Sequence, residues 1–241
     1  MSLELLVGQI QIRERTGQGC VAENGFCPDW IADNLDKYWS PLLEHVWLSV
    51  VSVAIGFLIA FALAVVAHRR RWLTGPILGV TGALYTVPSV AAFLLLLPIT
   101  GRGNGTAIVA LVAYTLLILF RNITTGLRNV PAEAVDAARG MGLTDRQVLR
   151  RVELPLAAPE VLAGLRIAFT TTVGLATLAF FAGGGGLGEL IYSEKAGTGG
   201  IRFQSNVVVA GGLAILLAAV GDLIVLGVQR HVARWQRVAQ A

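Results

Sequence analysis

Cysteine, histidine and charge are all scarce in this chain. Its 241 residues include two Cys and three His, and only 14% are Asp, Glu, Lys or Arg. The histidines, His45, His68 and His231, fall far apart at the ends of apolar runs. No Cys/His cluster with metal-ligand spacing exists, which argues against a metal site or a membrane metalloenzyme. No glycine-lysine phosphate loop occurs, so P-loop nucleotide chemistry is not expected of this chain. The formal net charge of +4 is small, and no basic stripe interleaves with aromatics, so nucleic-acid binding is not expected either. The strict apolar/polar alternation of a membrane β-barrel is also missing.

What is present is apolar sequence in long continuous runs. Hydrophobic residues make up 55% of the chain, and the mean hydropathy is +0.68. A helix crossing a hydrocarbon core of about 30 Å needs roughly 20 mostly apolar residues. Five runs meet that need, near Leu42 to Ala67, Pro76 to Pro98, Gly105 to Leu127, Val161 to Ala182 and Val207 to Gln229. Only helices satisfy the backbone within such runs. The expected fold is therefore all-α, a polytopic membrane bundle of about five helices.

Basic residues gather at alternate ends of these runs. His68 to Arg71, Arg121, Arg128, Arg139, Arg146, Arg150, Arg151, Arg230, Arg234 and Arg237 share one side when five spans are threaded, and such residues stay cytoplasmic. The N-terminus is then outside and the C-terminus inside. The chain divides into an extracytoplasmic extension (1–40), a membrane domain (41–230) containing a polar loop (130–157), and a cytoplasmic tail (231–241). The first apolar run is too long for a cleaved signal and is expected to act as an uncleaved anchor. Trp39, Trp47, Trp72 and Trp235 suit interfacial anchoring, and Trp72 and Trp235 are read equally as simple surface residues. In the extension, Cys20 and Cys27 are read either as a short local disulfide, which an oxidising compartment would preserve, or as two free thiols. Residues Trp30 to Trp39 are read as an amphipathic helix on the outer interface, or as a helix capping the bundle.

The polar loop has its own grammar. Pro131 suits a first turn, Glu133 and Asp136 place negative charge near a helix start, and Ala132, Ala134, Ala137 and Ala138 make a slim surface. Gly142 is expected to break this helix. Thr144 and Gln147 have capping-box spacing for a second one, which Leu154 and Pro155 are expected to end. The order Asp136-Ala137-Ala138, Gly142, Val152, Leu154-Pro155 resembles the EAA signature of ABC importer permeases, with Asp and Val at positions where Glu and Ile are usual. The alternative frame at Glu133 and Ala134 fails the downstream spacing. Tyr85 to Ser89, Arg121 with Asn122, Gly126 to Asn129, Gly140 to Leu143, Val152 to Leu156 and Gly183 to Ile191 resemble, more narrowly, the permeases of osmoprotectant importers.

That resemblance implies a type I importer permease that passes glycine betaine, choline or carnitine and has no catalytic residues of its own. It implies two cytoplasmic ATPase subunits, which bind ATP and Mg and receive the loop through Glu133, Asp136, Ala137, Ala138, Gly142, Leu154 and Pro155. It also implies a second permease chain, identical or paralogous, and an extracytoplasmic binding protein whose aromatic cage holds the cation. No cofactor is expected in this chain. The alternatives are a permease for another small solute and an ion-coupled secondary transporter, although the latter would show more mid-membrane ionisable groups than a nearly solitary Asp222.

Inside the spans, Asp222 is expected to face the bundle or a wet cavity, bonded structurally or touching solute. Arg166 is expected to snorkel to the interface rather than pair with Glu160. Thr170, Thr171, Thr172 and Thr177 either line a pathway or bond neighbouring backbone. Pro88, Pro98 and the Gly183 to Gly186 run are expected to interrupt regular helix, and Gly184 and Gly185 are candidates either for an outer gate or for close packing of two helices.

Overall fold

The structure is a computed structural model that describes residues 19–22, 25–192 and 203–232. The readings on residues 1–18 and on Arg234, Trp235 and Arg237 lie outside the described residues. Helix accounts for nearly all regular structure, and no strand occurs among the described residues.

After a single helical turn at Gly19–Ala22, the elements are α1 (Pro28–Asp33), α2 (Trp39–Arg69), α3 (Thr74–Thr86), α4 (Ser89–Thr100), α5 (Asn104–Arg128), α6 (Ala132–Gly140), α7 (Asp145–Val148), α8 (Leu154–Ala176), α9 (Leu187–Tyr192) and α10 (Gln204–Val232). Tight 3₁₀ turns cover Leu35–Tyr38, Arg71–Leu73 and Thr177–Ala182. The helices α2, α5, α8 and α10 are long and apolar enough to cross a membrane, and α3 and α4 form a pair bent by 98°.

The bent pair carries the chain from one end of the bundle to the other, because α2 and α5 run parallel. Asn104, at the start of α5, donates from Nδ2 to Glu44 Oε1 near the start of α2, at 2.6 Å. At the opposite end, Ala67 and His68 of α2 share a cavity with Thr124 and Arg128 of α5. The chain leaves α2 at one end and enters α5 at the other, so α3 and α4 must carry it across. The bend lies at Val87–Pro88, where proline disfavours helical geometry in the residue before it. Val87 takes extended backbone angles, and its carbonyl accepts a hydrogen bond from the Tyr114 hydroxyl of α5. Pro98, by contrast, lies within α4 without ending it, so of the two prolines only Pro88 interrupts the helix.

The core is layered along the bundle. Ala60, Ala64, Leu119, Phe120, Ile123 and Leu149 form a cluster at the arginine end. Leu48, Phe93, Leu111 and Ala176 form another toward the glycine-loop end. Small residues let helices approach closely where lipid supplies no hydrophobic drive between them. Exposed Trp39, Trp47 and Trp72 sit near the two ends of α2, where amphipathic rings favour an interface.

Residues Trp30 to Trp39 do not form one interfacial helix. They make the short α1 and a 3₁₀ turn that leads straight into α2. Tyr38 is buried, so this segment caps the bundle.

Candidate functional site

The polar loop folds as a helix, a tight turn and a second short helix laid across the arginine end. Pro131 caps α6, its carbonyl accepting the amides of Ala134 and Val135 at 3.1 and 3.4 Å. At the far end, the amides of Met141, Gly142 and Leu143 turn back to the carbonyls of Ala137, Arg139 and Ala138. That closure needs φ of +83° at Gly142, a left-handed value that residues with a Cβ resist. Thr144 then starts α7 with a reciprocal capping box, its amide donating to Gln147 Oε1 at 2.8 Å. Thr144→Ala is expected to cost about 1 kcal/mol locally, read as roughly fivefold faster hydrogen exchange of the amides from Thr144 to Val148.

Leu154 and Pro155 do not end the second helix; they begin α8. The turn Leu149–Glu153 widens to a π-helix and runs directly into it. Proline lacks an amide hydrogen and crowds the carbonyl four residues back, and a wide turn just before it is a known accommodation.

The loop presents two faces. Ala138, Val148 and Leu149 are buried beneath it, Leu154 packs against the core cluster below, and His68 Nε2 of α2 lies 3.1 Å from Glu153 Oε1. Glu133, Asp136, Ala137, Gly142 and Pro155 are exposed. Of the residues expected to act together, Glu133, Asp136, Ala137 and Gly142 thus share the accessible loop, Pro155 lies at the base of α8, and Ala138 and Leu154 anchor from within. Met141, not singled out from sequence, projects at the turn with 74% of its surface exposed. A bare apolar side chain beside a tight turn is the signal that would have found it. A cavity of about 1320 Å³ lies between the loop and the ends of α2 and α5, lined by Arg69, Arg71, Arg128, Arg139 and Arg146 together with Asp136, Asp145 and Glu153.

At the opposite end the glycine run is held by polar groups. The Gly185 amide donates to Asn104 Oδ1 at 3.1 Å and the Gly186 amide to Glu44 Oε2 at 3.2 Å, while Asn104 itself bonds Glu44. Gly184 is buried and Gly185 half-buried. Glu44 was missed in the sequence because it sits at the edge of an apolar run, where a carboxylate reads as a helix-end charge. Beside it, fully buried His45 has Nε2 3.0 Å from Val173 O of α8.

Within the spans, Arg166 of α8 and Asp222 of α10 form a two-pronged ion pair. Nε to Oδ1 measures 2.8 Å and Nη2 to Oδ2 2.7 Å. Arg166 therefore does not snorkel, and Asp222 is not solitary. Parallel bonds of this kind are the strong form of the arginine–carboxylate pair, and each partner is about 30% exposed in the single chain. The threonines turn to backbone: Thr170 Oγ1 donates to Arg166 O, Thr172 Oγ1 to Ala168 O and Thr177 Oγ1 to Gly174 O. Thr172 is buried, and Thr171 is half-buried. Among the described residues, no group of three or more His, Cys, Asp or Glu comes together in a way that could hold a metal.

Comparison with known proteins agrees with this architecture. The choline transport system permease protein OpuBB of Bacillus subtilis (strain 168) is 37% identical over 188 residues, covering 78% of this chain and 84% of that protein. The osmoprotectant import permease protein OsmW of Salmonella typhimurium is 35% identical over 196 residues, covering 79% and 89%. Among solved structures, the inward-facing MetNI methionine ABC transporter superposes with a TM-score of 0.67 at 24% identity, over 79% of this chain and 95% of that one. An amino acid ABC transporter crystallised with histidines gives 0.68 at 17% identity, over 84% and 97%; at these identities the two structures speak for the fold. Residues 52–238 match the family described as binding-protein-dependent transport system inner membrane component, and the chain belongs to that family as a membrane-spanning ABC importer permease.

Proposed function

We propose that this permease forms half of a translocation pathway for a small quaternary amine such as glycine betaine, choline or carnitine, and that it receives the ATPase stroke through residues 132–155. The observation that carries the reading is the loop itself. An accessible face bearing Asp136, Ala137, Met141 and Gly142 is fixed through Ala138, Val148 and Leu149 to the helix ends that would have to move. Force applied to that face reaches α2 through the His68–Glu153 contact and α8 through the continuous π turn.

The distribution of charge supports one membrane orientation. Arg69, Arg71, Arg128, Arg139 and Arg146 gather at one end, and Arg230 lies in the last turn of α10; this end is cytoplasmic. Five crossings then put the extension at 19–38 and the glycine run outside. Two ATPase subunits carry ATP and Mg, a second permease chain completes the pathway, and a separate binding protein delivers solute. The substrate class rests on the relatives, choline for OpuBB and osmoprotectants for OsmW.

The test is uptake into proteoliposomes holding this chain with its ATPase, supplied with the binding protein and labelled choline, glycine betaine or carnitine. ATP-dependent uptake of at least one is expected. ATP-dependent uptake of a different solute alone would overturn the substrate class. Uptake driven by an ion gradient without ATP would overturn the coupling.

A further inference from the structure

The family match begins at residue 52, yet the chain before it is built into the bundle. Cys20 and Cys27 are joined by a disulfide, with their Cα atoms 5.9 Å apart. Gly25 and Cys27, within the loop that it closes, dock onto the start of α10. The Cys27 amide donates to Ser205 Oγ at 2.8 Å, and the same hydroxyl donates to Gly25 O at 3.1 Å. One fully buried serine thus uses its lone pair and its proton on two points of the loop. Two further contacts follow along the same strip. Trp30 meets Phe203 edge to face with ring centroids 4.8 Å apart, and the Tyr38 hydroxyl donates to Asn206 Oδ1 at 2.8 Å.

These contacts matter because of what else holds α10. It is the least enclosed of the four long helices. Its middle is tied to α8 by Arg166–Asp222, and its far end by Gln229 Nε2 donating to Pro159 O at 3.0 Å. Its outer part packs through Ala210 against Leu187 of α9 and Val173 of α8, and its first turn is tied by the disulfide-closed loop, α1 and the turn at Leu35–Tyr38, which runs directly into α2. The extension therefore bridges the outer ends of the first and last crossings.

We propose that residues 19–22 and 25–38 are a redox-labile clasp pinning the outer end of α10 to α2. A dithiol reductant opens it. One reductant thiolate attacks a sulfur of the Cys20–Cys27 bond, the second thiol closes the reductant into its own disulfide, and both cysteines leave as thiols, a balanced two-electron, two-proton exchange. Freed of its closure, the loop regains conformational entropy, and the pair of bonds at Ser205 loses its fixed geometry. The middle and cytoplasmic ties of α10 are left in place. The proposal needs the outward placement of this segment argued above, because a bridge persists only in an oxidising compartment.

The experiment is hydrogen exchange on the full chain in lipid nanodiscs, with and without dithiothreitol, for wild type, Cys20→Ser/Cys27→Ser and Ser205→Ala. Cysteine state is fixed by alkylation and mass before each run. Wild type is expected to show no alkylation until it is reduced, and reduction then speeds exchange about tenfold or more in residues 25–38 and 204–210 while 222–230 is unchanged. The double serine variant is expected to exchange fast in both conditions, and Ser205→Ala is expected to be intermediate with its disulfide intact. Free thiols in protein isolated from membranes without reductant would overturn the bridge. Verified reduction with unchanged exchange at 204–210, or with equal acceleration throughout, would overturn the clasp. An impermeant thiol reagent applied to reduced intact cells reads the orientation: labelling supports outward placement, and its absence overturns that placement and the clasp that depends on it, whatever the exchange data show.

Discussion

Gly188→Val is expected to lower the stability of this permease by roughly 3 kcal/mol, the upper part of the usual range for overpacking. A Cβ at this position would overlap the Thr177 carbonyl oxygen and stand 2.6 Å from its carbon. Both atoms are backbone, so no side chain can swing away to make room. Relief requires α9 to separate from the 3₁₀ turn at Thr177–Ala182, which pulls fully buried Leu187 out of its cluster with Val173 and Ala210. Interiors packed near crystal density transmit such a shift rather than absorb it. The measurement is the thermal unfolding midpoint in detergent, with Gly212→Val as the control, since nothing lies within 4 Å of a Cβ there. A Gly188 variant as stable as the control would show that α9 is not packed as described.

The second large effect is expected at Asp222. Asp222→Leu leaves the Arg166 guanidinium inside a span with five donors and no carboxylate. The yield of monodisperse protein should fall to a small fraction of wild type, because removing one partner of an intramembrane pair is far worse than removing both. The double variant Arg166→Leu/Asp222→Leu is therefore expected to recover most of that yield. Size-exclusion profiles of the three proteins decide the matter. Full yield from Asp222→Leu would mean that the pair contributes nothing to the fold, and equal failure of the double variant would point to a role beyond mutual neutralisation.

The sequence made some of this structure legible and hid the rest for physical reasons. Continuous apolar runs leave helix as the only way to satisfy the backbone in lipid, so the spans are visible from composition. The turn at Gly142 and the capping box at Thr144 and Gln147 are local devices, settled by residues within a few positions of each other, and both are legible for that reason. Pro155 misleads because a proline inside a helical pattern ordinarily stops it, whereas here a π turn upstream absorbs the missing bond. Pro88 marks the break between α3 and α4, but the 98° bend is held by Tyr114, 27 positions away. Arg166 and Asp222 lie 56 positions apart on different helices, and no local pattern signals that they meet. Glu44 is hidden in the same way, since its partners Asn104 and Gly186 come from two distant segments.

The central claim is that the loop from Ala132 to Pro155 is where the ATPase engages. Affinity capture of this permease with its ATPase subunit tests it most directly, comparing wild type with Gly142→Arg. Gly142 is exposed at the turn, and no atom lies within 4 Å of a Cβ built there. The added side chain therefore extends from the loop's accessible face without entering the bundle, at a local backbone cost of roughly 1–2 kcal/mol. The account predicts that wild type retains the ATPase and stimulates hydrolysis, while Gly142→Arg elutes as folded permease without it. A variant that captures the ATPase and supports hydrolysis as wild type does would contradict the claim.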